Sequence, residues 1–140
     1  IIWTALLAFF KKRAILLHVG DSRIYRYRSP KLLQLSEDHL GSRVSSLDEP
    51  RHTKGFLTKA LGTAELILPQ FIHLPCRAGD YFLLCSDGLS DLLSSKEIAD
   101  VLAKETLRLE EKVRMLVYLA KANGGQDNVT VLLIHLPKEG

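Results

Sequence analysis

The chain opens on two apolar runs, Ile1 to Phe10 and Ala14 to Val19, separated by Lys11-Lys12-Arg13. Runs this short, rich in Ile, Leu, Val and aromatics and broken by charge, predict a hairpin. Near-continuous apolarity predicts burial on both faces. Gly20-Asp21-Ser22 interrupts the pattern. Polar and apolar positions then alternate from Arg23 to Arg28, as in a half-exposed strand. Ser29-Pro30 is a turn signal, and Leu32 to Leu35 returns as a further strand. The expected arrangement of these pieces is an antiparallel meander.

Ser36 to Thr53 is polar, carries Gly41 and Pro50, and has no sustained period, so it reads as a loop with room for a short helix. Phe56 to Leu61 predicts a turn of helix before Gly62. Ile67 to Leu74 reads as a strand interrupted by Pro69, which confines it to a sheet edge. Arg77-Ala78-Gly79-Asp80 is a turn, and Tyr81 to Cys85 a strongly apolar strand. Ser94-Ser95-Lys96-Glu97 has capping-box spacing, followed by Ile98, Val101 and Leu102 at helical intervals. A second helix is expected from about Glu110 to Ala122. Its apolar stripe is Val113, Leu116, Val117 and Ala120, and Asn123-Gly124-Gly125 stops it. Val129 to Leu136 is the last strand, apolar on both faces. Strands and helices are segregated, which favours a layered α+β fold over a doubly wound one. The chain shows no internal repeat and no linker.

With 140 residues, 46% of them apolar and 25% charged, the chain can build the core of one domain. A disordered or low-complexity chain is excluded. The net charge is +3, and the only basic run, Lys11-Lys12-Arg13, reads as a solvated turn. No clustering supports a nucleic-acid or membrane surface. Cys76 and Cys85 lack CxxC spacing and read as small apolar fillers in a reducing compartment, which points to the cytoplasm. The opening apolar run is shorter than the roughly 20 residues that span a bilayer. It also lacks the basic start of a signal peptide. The chain begins at Ile1 and its only methionine is Met115, so the expectation is a strand whose preceding sequence is absent.

Three aspartate-bearing loops adjoin apolar strands. They are Gly20-Asp21-Ser22-Arg23, Ser86-Asp87-Gly88 and Gly125-Gln126-Asp127-Asn128, with Asp91 four residues beyond Asp87. Any one of them alone would be an ordinary turn, because Asp and Gly favour turns. Asp80, in Ala-Gly-Asp-Tyr, is read as only that. Together, strand-end carboxylates repel one another unless cations neutralise them, and hard oxygen ligands select magnesium or manganese.

These loops also carry a family resemblance. His18-Val19-Gly20-Asp21-Ser22-Arg23, Ser36-Glu37-Asp38-His39, Leu57-Thr58-Lys59-Ala60-Leu61-Gly62, Ser86-Asp87-Gly88 and Gly125-Gln126-Asp127-Asn128-Val129-Thr130 occur in order. The set resembles the motifs of PP2C-type metal-dependent protein serine/threonine phosphatases. The resemblance covers the chain from about Ala14 to Leu136, in a bacterial style. It implies an α-β-β-α sandwich of two antiparallel sheets flanked by helices, with a dinuclear Mn2+ or Mg2+ site at one end. Asp87 and Asp127 would hold one metal, and Asp21 and Asp91 match a further, weaker site, making two ions or three. Gly88 and Asn128 would support the loops, while Ser22 and Arg23 are structural. A water activated by the two cations would attack phosphorus on a phosphorylated protein, with no nucleophilic side chain.

The family's N-terminal acidic motif is not found here. That motif supplies the aspartate bridging both metals, and many members add an arginine and a histidine general acid. His39, the only histidine near a motif, reads as a loop or packing residue. Residues 1–140 are therefore expected to be the C-terminal portion of one domain, with half a metal site and negligible activity alone. A non-catalytic PP2C-like module that binds a partner protein is the alternative. A small-molecule phosphate hydrolase on the same fold is a weaker third reading.

Overall fold

The computed structural model describes residues 5–10, 12–38, 40–41, 56–57, 68–125 and 127–137. The strands are β1 (Ala5–Phe10), β2 (Arg13–His18), β3 (Arg23–Arg28), β4 (Lys31–Gln34), β5 (Leu40–Gly41), β6 (Phe56–Leu57), β7 (Gln70–Pro75), β8 (Tyr81–Cys85) and β9 (Val131–His135). The helices are α1 (Asp87–Ser90), α2 (Ser95–Leu102) and α3 (Leu109–Ala122). One antiparallel sheet has the order β1-β2-β7, a second has the order β4-β3-β8-β9, and β5 pairs with β6.

The two larger sheets pack face to face. Ala14, Leu16 and Leu74 from the first meet Ile24, Phe82 and Leu84 from the second, with Ile72 and Ile134 beside them. Alternation along β8 sends Leu83 and Cys85 to the opposite face, where Leu89, Ile98, Val101, Leu102, Leu116 and Ala120 cover them. The layers are thus sheet, sheet, helices. Full burial of a side chain such as Phe82 contributes about 1.5–3 kcal/mol. Burial pushes the Cys85 thiol up to about 12, as expected of an inert filler.

Local chemistry starts and stops the helices. Ser94 Oγ accepts from Glu97 N at 3.2 Å while Ser94 N donates to Glu97 Oε2 at 2.8 Å, the reciprocal capping box expected for α2. At the end of α3, Asn123 Nδ2 donates to Leu92 O at 3.1 Å, and Gly124 takes a φ of +123°.

Several expectations change. The first four strands are not a single meander: the hairpins β1-β2 and β3-β4 belong to different sheets. Gly20, with φ +113°, turns the chain from one sheet to the other, a backbone shape that a Cβ would strain. Phe56–Leu57 is a strand paired with Leu40–Gly41, not a turn of helix. The following residues 58–62, His39 and residues 42–55 lie outside the described residues. β7 lies at the edge of its sheet among the described residues, but it starts after Pro69, at Gln70, so the proline does not interrupt it. The short α1 has no apolar periodicity and was not expected. Among the described residues β9 is also an edge strand, and Leu132 is 51% exposed, so the strand is not buried on both faces here.

Candidate metal centre

The three aspartate loops lie at one end of the β4-β3-β8-β9 sheet, where β3 begins, β8 ends and β9 begins. Ser86, the residue between β8 and α1, ties two of them together. Its buried hydroxyl accepts from Thr130 N at 3.0 Å and donates to Asn128 O at 3.2 Å. Its own N–H donates to Thr130 O at 3.1 Å. Gly88 is buried against the same strand entry. A Cβ there would collide with Asn128 O and sit 3.1 Å from Asn128 C. Asp87 lies between Ser86 and Gly88, and Asp127 immediately precedes Asn128, so the two carboxylates stand on loops in direct contact.

Each carboxylate is also fixed by its neighbour. Asp87 Oδ1 accepts from Gly88 N at 2.9 Å, and Asp127 Oδ1 accepts from Asn128 N at 2.7 Å. Both retain an oxygen lone-pair set for a further partner. Asp91 caps α1, its N–H donating to Asp87 O at 2.8 Å, and an i, i+4 pair shares one side of a helical turn.

Asp21 sits in the crossover between the sheets. Burial, and then repulsion from Asp87, push its carboxyl above the usual range. Arg23 pairs with Cys85 across β3 and β8, so Asp21 and Asp87 each lie two residues beyond the same rung of the ladder. The loop around Asp21 is held from both sides. His18 Nε2 donates to the Ser22 carbonyl. Arg23 grips Asp38 through Nε at 2.9 Å and Nη2 at 2.6 Å, and Gln34 Nε2 adds 3.1 Å to the same carboxylate. The Arg23 guanidinium is held above its ordinary value by that hydrogen-bonded pair.

Asp21, Asp87, Asp91 and Asp127 therefore occur on adjacent loops, and their donors are all oxygen, which suits a hard divalent cation. Among the described residues, no cluster of three or more acidic, imidazole or thiol groups is found. The donor set fits such a cation in kind, with the rest of its coordination left to water or other groups. Sequence reasoning placed Ser86 and Asp38 in motifs but gave neither a role. The tight Ser-Asp-Gly spacing signalled a turn, but a partner across the sheet, 44 residues on, leaves no local pattern. Asp80, read as a plain turn, is a buried anchor: it accepts from Arg28 Nε at 2.7 Å and Nη2 at 2.8 Å.

Comparison with known proteins agrees with the motifs. The family model for Protein phosphatase 2C matches residues 3–122. The chain is 35% identical to Protein phosphatase PhpP of Streptococcus pneumoniae, over 95% of this chain and 57% of that protein. It is also 35% identical to the Serine/threonine phosphatase stp of Listeria welshimeri, over 89% and 52% respectively. The chain thus spans about half the length of these curated relatives. Among solved structures, the Mycobacterium tuberculosis serine/threonine phosphatase PstP/Ppp superposes with a TM-score of 0.82 at 33% identity, over 96% of this chain and 59% of that one. The catalytic domain of PstP in complex with two manganese ions gives 0.76 at 35% identity, over 92% and 56%. The two face-packed antiparallel sheets, the ordered aspartate loops and these matches have one explanation: the chain belongs to the Protein phosphatase 2C family.

Proposed function

We propose that residues 1–140 form the C-terminal portion of a single domain that removes phosphate from phosphoserine and phosphothreonine of proteins. The observation that carries this reading is the Ser86 tie, which sets the Asp87 and Asp127 loops in contact. Asp87 and Asp127 hold one Mn2+ or Mg2+, and Asp21 with Asp91 contribute to a further, weaker site. Bound cations would supply an activated water and neutralise phosphate oxygens. This chain's residues orient and restrain. Gly88 lets the two loops approach, Asn128 fixes one Asp127 oxygen, and the Arg23–Asp38 pair steadies the Asp21 crossover. Two free cysteines fit a reducing, cytoplasmic setting. No helix among the described residues is long and apolar enough to cross a membrane.

Among the described residues no group of three acidic, imidazole or thiol side chains is placed to hold an ion, so this reading expects the chain alone to be inactive. The same observation favours a second reading, a non-catalytic module that binds a partner protein. Hydrolysis of a phosphoserine peptide in millimolar manganese separates them. The chain is assayed alone and co-expressed with the N-terminal segment of a relative. Turnover only in the second case, abolished by Asp127→Asn, supports the phosphatase reading. Folded complex without turnover supports the binding module.

A further inference from the structure

The opposite end of the same sheet carries a hollow that the metal chemistry does not use. Its volume is about 260 Å³, and its walls include Arg28 and Ser29 after β3, Tyr81 at the start of β8, Glu105 after α2, and Lys112 of α3. The five residues of β8 separate it from Asp87, about 17 Å at the usual rise per residue.

Lys112 is only 3% exposed. Its Nζ donates to Leu102 O, at the end of α2, at 2.6 Å, and lies 3.4 Å from Tyr81 Oη. It stands 4.5 Å from the centroid of the Tyr81 ring. An ammonium has three donors, and these two oxygens leave one uncommitted. The helix end and the ring face make burial tolerable, but both are formally neutral. Among the described residues, Lys112 has no carboxylate at ion-pair distance. A positive charge therefore remains in the wall, poorly screened by water.

Arg28 is fixed beside the same hollow. Its Nε and Nη2 are spent on Asp80, which is 1% exposed and also accepts from Arg77 N at 2.9 Å. The outer edge of the guanidinium, Nη1, remains available. The hydroxyls of Ser29 and Tyr81 add neutral donors, and His135 stacked on Tyr81 at 4.2 Å steadies that ring. Glu105 is the one carboxylate on the walls. It is exposed, so solvent damps its field.

We propose that this hollow binds a small oxyanion, a phosphate group on a compact organic body, through Lys112 and Arg28 with Ser29 and Tyr81. The volume lies just below the roughly 300–1,000 Å³ of drug-sized sites, which suits a compact ligand. The site is independent of the aspartate loops and of the phosphatase reading.

Equilibrium dialysis of the chain against radiolabelled glycerol 3-phosphate tests this. EDTA is present so that no cation can bridge phosphate to the aspartates. Saturable binding is expected, weakened roughly tenfold by Lys112→Met, strengthened by Glu105→Gln, and not competed by choline. Competition by inorganic phosphate also supports the site. Should Lys112→Met fail to fold, Arg28→Lys and Glu105→Gln carry the test. Absence of saturable binding, competition by choline, or an affinity indifferent to every folded variant overturns the proposal.

Discussion

Gly88→Ala perturbs the contact on which the candidate centre depends. The new Cβ would fall inside the 3.0 Å that real Cβ atoms keep from other heavy atoms, and the obstacle is the Asn128 backbone, not a side-chain tip. Either α1 or the Asp127–Thr130 segment must shift. Overpacking of this kind costs about 1–3 kcal/mol. Displacing Asn128 and Thr130 also weakens two bonds to Ser86 Oγ, each worth about 1 kcal/mol. Alanine recovers about 0.5–1 kcal/mol as a better helix former. A net loss of about 2 kcal/mol follows, or roughly 4–8 °C in Tm for a domain of this size. Thermal unfolding followed by circular dichroism reads the stability, and manganese titration reads the carboxylates, which should bind more weakly once their loops separate. A Gly88→Ala chain with unchanged Tm and unchanged manganese affinity would refute the contact as the organiser of the site.

Other outcomes follow from the same geometry. Asp21→Asn removes a carboxylate crowded by burial and by Asp87, so it should stabilise the metal-free chain at neutral pH while weakening its response to manganese; a less stable metal-free variant in chemical denaturation counts against this. Asp80 is different: burial alone would raise its carboxyl, but Arg28 and the Arg77 N–H outweigh burial and hold it below the ordinary 3.8. Its contribution is therefore present above that value and lost as pH falls through the lower folded value. An acid titration should show that loss in the parent and not in Asp80→Asn. The face of the β1-β2-β7 sheet carrying Phe71, 56% exposed, should bind a hydrophobic dye, and Phe71→Gln should reduce the signal without lowering Tm; dye binding unaltered by the change would place the apolar surface elsewhere.

Much of this was legible in the chain because the signals are local. The capping box at Ser94 and Glu97 needs only four consecutive residues, and it formed as read. The apolar β8 run carries its two-sided burial in its own composition. The meander failed for a definite reason. Alternation reports that Arg23 to Arg28 is a strand but not which sheet receives it, and Gly20 decides that through one backbone angle. The aspartates were visible as strand-end turns, but the tie between Ser86 and Thr130 spans 44 positions and obeys no period. Asp80 was underestimated for the same reason, since Arg28 lies 52 residues away. Residues 58–62, which carry most of the Leu57-Thr58-Lys59-Ala60-Leu61-Gly62 motif, and residues 42–55 lie outside the described residues.

The central claim is that Asp87 and Asp127 of this chain jointly hold a divalent cation. Water-proton relaxation during manganese titration of the folded chain addresses it without requiring turnover. Saturable binding, lost in both Asp87→Asn and Asp127→Asn while circular dichroism and Tm stay near those of the parent, is the predicted result. Binding that survives both substitutions, or none in the parent, would contradict the claim.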